Sequence, residues 1–169
     1  SSVTTCTDAA RSISRCVRLD SPSRAGPSNS RANLSFVIVK PDGFHRGLTG
    51  EVLRRIEAKG YVLAALKILT PPTALLQEHY AEHEGKPFFE PLVAFMSSGP
   101  VTAVVIEGED CIKGFRSLAG ATNPTEAAPG SIRGDLGRDW GEKVQKNIVH
   151  GSDSPESAAR EIGIWFPEL

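Results

Sequence analysis

The stretch Asn147-Ile148-Val149-His150-Gly151-Ser152-Asp153-Ser154 sets an imidazole at the end of a short apolar run, just ahead of a helix start. A free imidazole titrates near ~6.5, so at neutral pH much of it carries a nitrogen lone pair that can attack an electrophile. Histidine is among the side chains that form covalent intermediates. The plainer reading is a hydrogen-bonded structural histidine in a loop, and the other polar residues must decide between the two. Lys40 closes an apolar run at Pro41-Asp42-Gly43, and Arg116 falls in a helical stretch. Thr122 and Asn123 open a long polar segment, with Ile132-Arg133-Gly134-Asp135 near its middle. Phosphoryl transfer needs cations around the equatorial oxygens and a fixed in-line geometry. Lys40, Arg116 and Arg133 could supply the charge, with Thr122 and Asn147 as neutral donors. Taken singly, Lys40 reads equally as a solvated strand end, and the arginines as surface ion-pair formers worth ~0–1 kcal/mol. The chain has no Gly-x-x-x-x-Gly-Lys loop, so phosphate lacks the usual nucleotide cradle and scattered cations would have to hold it.

The pattern that must position these residues begins at Leu34. Residues 35–40 read as a strand, stopped by the turn residues Pro41-Asp42-Gly43. Val52, Leu53 and Ile56 recur at helical spacing within 48–59, and Gly60 supplies the stop. A second strand covers 61–69, and Pro71-Pro72 opens a helix through Tyr80. Lys86-Pro87-Phe88-Phe89 is a short loop, followed by a helix around Leu92 to Met96. Residues 101–107 form a β-branched strand, and 110–118 have helical spacing through Ile112 and Phe115. Residues 120–146 are polar and rich in Gly and Pro; a loop of that length without structure of its own is usually functional. Residues 147–149 are expected as a last short strand, and Ser154 with Pro155 caps a helix to Trp165. This order predicts an α+β sandwich of the ferredoxin-like kind, with one mostly antiparallel four-stranded sheet and the helices on one face.

Lys40-Pro41-Asp42-Gly43, Arg116, Thr122-Asn123, Ile132-Arg133-Gly134-Asp135 and Asn147-x-x-His150-Gly151-Ser152-Asp153 together resemble the nucleoside diphosphate kinase family, over 35–167 and in the family's order. The resemblance implies that the γ-phosphoryl group of a nucleoside triphosphate, mainly ATP, passes to His150 at its pros nitrogen. The diphosphate leaves, and a second diphosphate takes the group back in a ping-pong cycle. It implies catalytic roles for His150, Glu161, Ser152 and Lys40. Lys40, Tyr80, Arg116, Thr122, Arg133 and Asn147 would surround phosphates and sugar, with Phe88 stacked on the base and Leu92 on the same face. Stacking accepts any base, so broad specificity follows. Mg²⁺ would be held mainly through the nucleotide phosphates rather than by a protein cage. Glu161, eleven positions after His150, would fix the imidazole tautomer and stabilise the cationic phospho-form, oriented in turn by Ser152. From the helix pattern alone Glu161 reads equally as an exposed residue. A catalytically silent nucleotide-binding scaffold of the same fold is the alternative, disfavoured because every matched position carries the expected residue type. The stretch 136–146 is a few residues longer than in compact family members, and the chain ends soon after Phe166. Both regions contribute subunit contacts in the family, so a homo-oligomer of four or six subunits is expected.

At 169 residues, 40% of them apolar and 23% charged, the chain suits one core-forming domain. The net charge of −1 hides an asymmetry: residues 1–34 hold five Arg against two Asp, and the remainder fourteen Lys and Arg against eighteen Asp and Glu. A mildly acidic body is not expected to draw nucleic acid. Its apolar runs fall well short of the ~20 residues of a membrane span. Residues 1–33, rich in Ser and Arg and without hydrophobic periodicity, are expected to be a disordered or processed leader to a domain over 34–169. Cys6 and Cys16 lie in that leader, leaving Cys111 alone in the body. A lone thiol fits a reducing compartment, the cytoplasm, or an organelle if the leader is a transit-peptide remnant.

Overall fold

The computed structural model describes residues 17–18 and 33–169. A two-residue strand β1 (Val17–Arg18) and four further strands, β2 (Leu34–Val39), β3 (Val62–Leu69), β4 (Val101–Glu107) and β5 (Val149–Gly151), form one antiparallel sheet in the order β1-β3-β4-β2-β5. β1 adds to the outer edge of β3, opposite Leu66 and Ala65. Apart from these two residues and Asn33, the expected leader lies outside the described residues. The helices are α1 (Pro41–His45), α2 (Thr49–Ala58), α3 (Thr73–His79), α4 (Phe89–Met96), α5 (Cys111–Ala119), α6 (Ile132–Leu136) and α7 (Pro155–Trp165). The β2-α2-β3 and β4-α5-β5 halves make the ferredoxin-like arrangement; α3 and α4 lie between them in the chain and α7 follows.

The helices cover both faces of the sheet rather than one. Side chains alternate along β2, so Val37 and Val39 join a core with Val52 and Ile56 of α2 and Ile112 and Phe115 of α5. Phe36 and Ile38 point the other way, to Leu76 of α3, Val93 and Met96 of α4, and Trp165 of α7. β2 and β4 read as near-continuous apolar runs for this reason: a strand covered on both faces has no solvent side to make polar. Each large side chain buried there contributes about 1.5–3 kcal/mol.

Local chemistry explains the element ends and three departures from expectation. α2 stops in a Schellman motif, with Gly60 at φ 100°, its N–H on the Glu57 carbonyl and the Tyr61 N–H on the Ile56 carbonyl. Pro41-Asp42-Gly43 is the start of α1 rather than a simple turn, because proline at the first helical position has φ preset and gives up only an N–H without an intrahelical acceptor. The segment 120–146 is not structureless. Ser131 accepts from the Gly134 N–H and caps α6, while Asp135 binds the Gly130 N–H and pairs with Arg55 of α2 at 2.9 Å. The last strand begins at Val149, two residues later than the apolar run suggests, because Ile148 has φ 71° and cannot sit in a ladder. Among the described residues no helix is long and apolar enough to cross a membrane.

Candidate active site

His150 leaves β5 opposite Ile38 of β2, so its backbone is fixed by the sheet. Its Nε2 lies 3.0 Å from Glu161 Oε1, and Ser152 Oγ donates to the other carboxylate oxygen. Glu161 reaches this position because Ala158, Glu161 and Trp165 recur at helical spacing on the inward face of α7. That helix starts in a reciprocal cap between Ser154 and Ser157. Glu161 is only 6% exposed. Burial raises its pKa, but hydrogen bonds from His150 and Ser152 and the nearby imidazole outweigh that and hold it below the usual carboxylate value. A carboxylate on Nε2 places the proton there, which leaves Nδ1 with the lone pair.

The segment before His150 is strained. Val149 N–H closes on the Asn147 carbonyl at 2.7 Å around Ile148, a γ-turn of positive φ, which a β-branched residue rarely adopts. Two bonds from the β2–α1 junction hold it: Ile148 N–H donates to Asp42 Oδ2 at 3.0 Å, and Lys40 N–H donates to the Ile148 carbonyl at 2.8 Å. A strain of roughly 1–3 kcal/mol persists only where the surroundings impose it. Here it turns the Asn147 side chain inward. Asn147 Oδ1 accepts from Lys40 Nζ at 2.7 Å, and its amide donates to the Thr122 carbonyl at 2.9 Å.

A cavity of about 1230 Å³ opens over these groups, with Lys40, Tyr80, Arg116, Thr122, Arg133, Asn147, His150 and Glu161 in its wall. Burial pushes the Lys40 ammonium down to about 8, with Arg133 adding to the shift and Asp42 opposing it. Burial, then Arg116, lowers Arg133 to about 10. Arg133 also fastens the loop, donating to the carbonyls of Val149 (2.7 Å), Gly120 (3.0 Å) and Asn147 (3.2 Å). Tyr80 is buried, and burial followed by the Glu161 charge raises its phenol, which stays protonated. Ser152 lies beneath the cavity rather than in its wall.

Phe88 and Leu92 are not brought into that wall. Phe88 is 48% exposed, its ring 5.3 Å from that of His83, which does line the cavity, and Lys86 Nζ stands 5.7 Å over it. Leu92 packs on the core beside Phe89 and Val93. Trp140, in the longer stretch, is 43% exposed and lies between Arg138 at 3.8 Å and Arg46 at 5.8 Å.

The match to known proteins covers this site and the fold that builds it. The family profile described as nucleoside diphosphate kinase matches residues 33–169. The chain belongs to the nucleoside diphosphate kinase family. It is 59% identical over 136 residues to the nucleoside diphosphate kinase of Nocardia farcinica, covering 80% of this chain and 95% of that one. It is 51% identical over 138 residues to the Saccharomyces cerevisiae enzyme, covering 82% of this chain and 88% of that one. Among solved structures, a nucleoside diphosphate kinase family protein from Babesia bovis matches at TM-score 0.75 and 47% identity, over 80% of this chain and 90% of that one. The Halobacterium salinarum nucleoside diphosphate kinase in complex with CDP matches at TM-score 0.74 and 47% identity, over 80% of this chain and 88% of that one. The activity of the chain is that of a nucleoside diphosphate kinase.

Residue patterns alone did not point to Asp42 as the anchor of Ile148, nor to His79 and Trp165 beside Glu161. Asp42 was visible only as a turn residue. His79 and Trp165 sit on elements 86 positions apart, and no local spacing links them.

Proposed function

We propose that His150 is the phosphorylated nucleophile and that one cavity serves both halves of a ping-pong exchange. The observation that carries this reading is the chain Ser152–Glu161–His150, which leaves Nδ1 as the free nitrogen of a ring held by a buried carboxylate. A bond forms between Nδ1 and the γ-phosphorus as the bond to the bridging oxygen breaks. The nucleoside diphosphate leaves with that electron pair on its terminal phosphate. The incoming diphosphate attacks phosphohistidine through a terminal oxygen and restores the imidazole. Lys40, Arg116 and Arg133 balance charge on the transferring group, and Glu161 balances the cationic phospho-form.

Mg²⁺ fits as part of the nucleotide. Among the described residues the one trio of metal-binding side chains, His79, His150 and Glu161, is committed to internal hydrogen bonds. Oxygen ligands for a hard cation would therefore come from the phosphates. When bound, the ion supplies neutralising charge between them. The relative whose structure holds CDP supports a nucleoside diphosphate in this cavity. Phe88, exposed beside the cavity-lining His83, stacks on the base in this reading and tolerates its identity. The active form is a homo-oligomer.

Incubation with γ-labelled ATP should put one acid-labile phosphate on His150, and GDP should remove it as labelled GTP. His150→Ala should keep its fold and lose both steps. Substantial transfer by purified His150→Ala would overturn the assignment.

A further inference from the structure

Behind His150 stands a second histidine with no part in the reaction just described. His79 ends α3, is 3% exposed, and directs Nε2 at Glu161 Oε1 across 3.7 Å. Its ring meets the His150 ring edge-on, with centroids 5.0 Å apart and planes at 75°. On its other side Trp165 Nε1–H donates to His79 Nδ1 at 3.0 Å, a bond buried from solvent. Indole nitrogen is a donor only, so Nδ1 must be the acceptor and the proton of the neutral ring must lie on Nε2. Arg160, one residue before Glu161, donates to the backbone carbonyls of His79 and Glu78. The end of α3 is thus clamped to α7 through both side chain and backbone.

Two histidines and a glutamate with ligand atoms within 4.8 Å of one another form a donor set that zinc accepts. The Trp165 bond argues against that use. A metal on His79 Nε2 would have to expel its proton while Nδ1 stays an acceptor, which makes an imidazolate. Ligating histidines instead donate their second N–H outward. The cluster is a hydrogen-bonding assembly.

We propose that His79 is a positioning residue for phosphotransfer: a constantly neutral Nε2–H donor aimed at Glu161, whose ring also holds the plane of His150. This rests on the reading of His150 as nucleophile. The dipole of the neutral ring adds a favourable contact to the carboxylate without competing for its charge. A cationic ring there would instead draw Glu161 away from the imidazole that must become cationic during the reaction. Several features keep His79 neutral. Burial comes first, followed by the imidazole of His150 from β5, opposed by Glu161 and assisted by Arg160 of α7 and Lys40 at the end of β2; together they depress its pKa to about 3.

Nitrogen-15 NMR of the whole protein should show His79 with its proton on Nε2 at every pH between about 5 and 8, the range in which an ordinary histidine changes charge. Trp165→Phe removes the donor and should let both tautomers appear. Single-turnover phosphorylation by ATP should slow roughly 10- to 100-fold in His79→Phe with little change in nucleotide KM, because ring misplacement acts on the chemical step. His79→Gln, which keeps an amide donor near the Nε2 position, should recover most of that loss. The inference is overturned if His79 titrates within that range, if its proton lies on Nδ1, or if both variants react at the wild-type rate. It is also overturned if the Gln variant, folded by circular dichroism, is as slow as Phe. Mapping the phosphate in the wild type keeps the two claims apart. Label away from His150 defeats the nucleophile assignment, whereas label on His150 with unaffected variants defeats only the role of His79.

Discussion

Lys40 should set the alkaline limb of this enzyme's pH–rate profile. In the proposed reading its ammonium faces phosphate oxygens, and it sits partly out of water, 2.7 Å from Asn147 Oδ1 and close to Arg133. Burial, reinforced by Arg133, lowers it from an ordinary value of 10.5 to about 8. The ratio kcat/KM for the nucleoside triphosphate reports the free enzyme, and should fall above pH 8. One pH unit beyond its pKa roughly one Lys40 in ten stays charged, so kcat/KM should lie about tenfold below its plateau near pH 9. The limb in kcat should lie higher, because bound phosphate favours the ammonium. Arg133, lowered to about 10, and Tyr80, raised well above its ordinary value, titrate too late to produce a limb near 8. An arginine at this position stays charged through about pH 9, so Lys40→Arg should lose the limb near 8 even if its plateau drops. A kcat/KM that stays level past pH 9, or the same limb in Lys40→Arg, would refute the reasoning. The same shift has a stability consequence of definite sign. Between about 8 and 10.5 the unfolded chain holds a proton that the folded chain has lost. Stability should therefore rise with pH across that window, by at most roughly 3 kcal/mol, in chemical denaturation of the wild type relative to Lys40→Met.

Arg133→Ala should lower kcat by roughly 10²–10³ through lost charge stabilisation, and Arg133→Lys should not restore it, since one ammonium cannot span the three carbonyls that the guanidinium binds; full activity in the Lys variant would count against this. Gly151→Ala would bring a Cβ to 2.6 Å from the buried Phe115 ring, so it should cost about 1–3 kcal/mol and slow transfer by shifting the strand that carries His150. An unchanged melting temperature would show that the Phe115 ring yields without cost.

The parts of this molecule that were legible in its residues are those written in short-range order. Apolar, β-branched runs marked the strands, helical apolar spacing marked the helices, and the polar signature around His150 marked the chemistry, because each of these lies within a few residues of sequence. Lys40 and Asn147 were visible as candidates, but their 2.7 Å contact spans 107 positions and exists only once β2 and the Ile148 turn are assembled. Ile148 shows the limit clearly. Its residue type favours a strand, so 147–149 reads as one, whereas bonds to Asp42 and Lys40 from another part of the chain hold it at φ 71°. The covering of both sheet faces was latent in the near-continuous apolar runs of β2 and β4, where even Ser35 and Thr102 are buried and no polar alternation faces water. Phe88 was recognisable by family resemblance, yet its place outside the cavity wall depends on how the segment after α3 is carried, which apolar spacing does not record.

The site is spread over many elements for a chemical reason. A phosphate-binding loop would gather its donors in one turn of backbone and leave the nucleophile to be brought from elsewhere. In the proposed reading the nucleophile belongs to the sheet, and the charges arrive from Lys40 just past β2, Arg116 of α5 and Arg133 of α6, with the neutral Thr122 from the loop between the last two. Such a design needs each contributor fixed before nucleotide enters, since a phosphoryl group passing in line tolerates little misplacement. The fixing groups are Glu161 under His150 and Asn147 between Lys40 and Thr122, both buried, and the partly buried Asp42 under the strained turn. Burying polar groups is costly unless they are paired, and the pairs that Glu161 and Asn147 make hold the cavity in a single arrangement, while Asp42 binds Ile148 through Oδ2 alone and leaves Oδ1 buried without a partner.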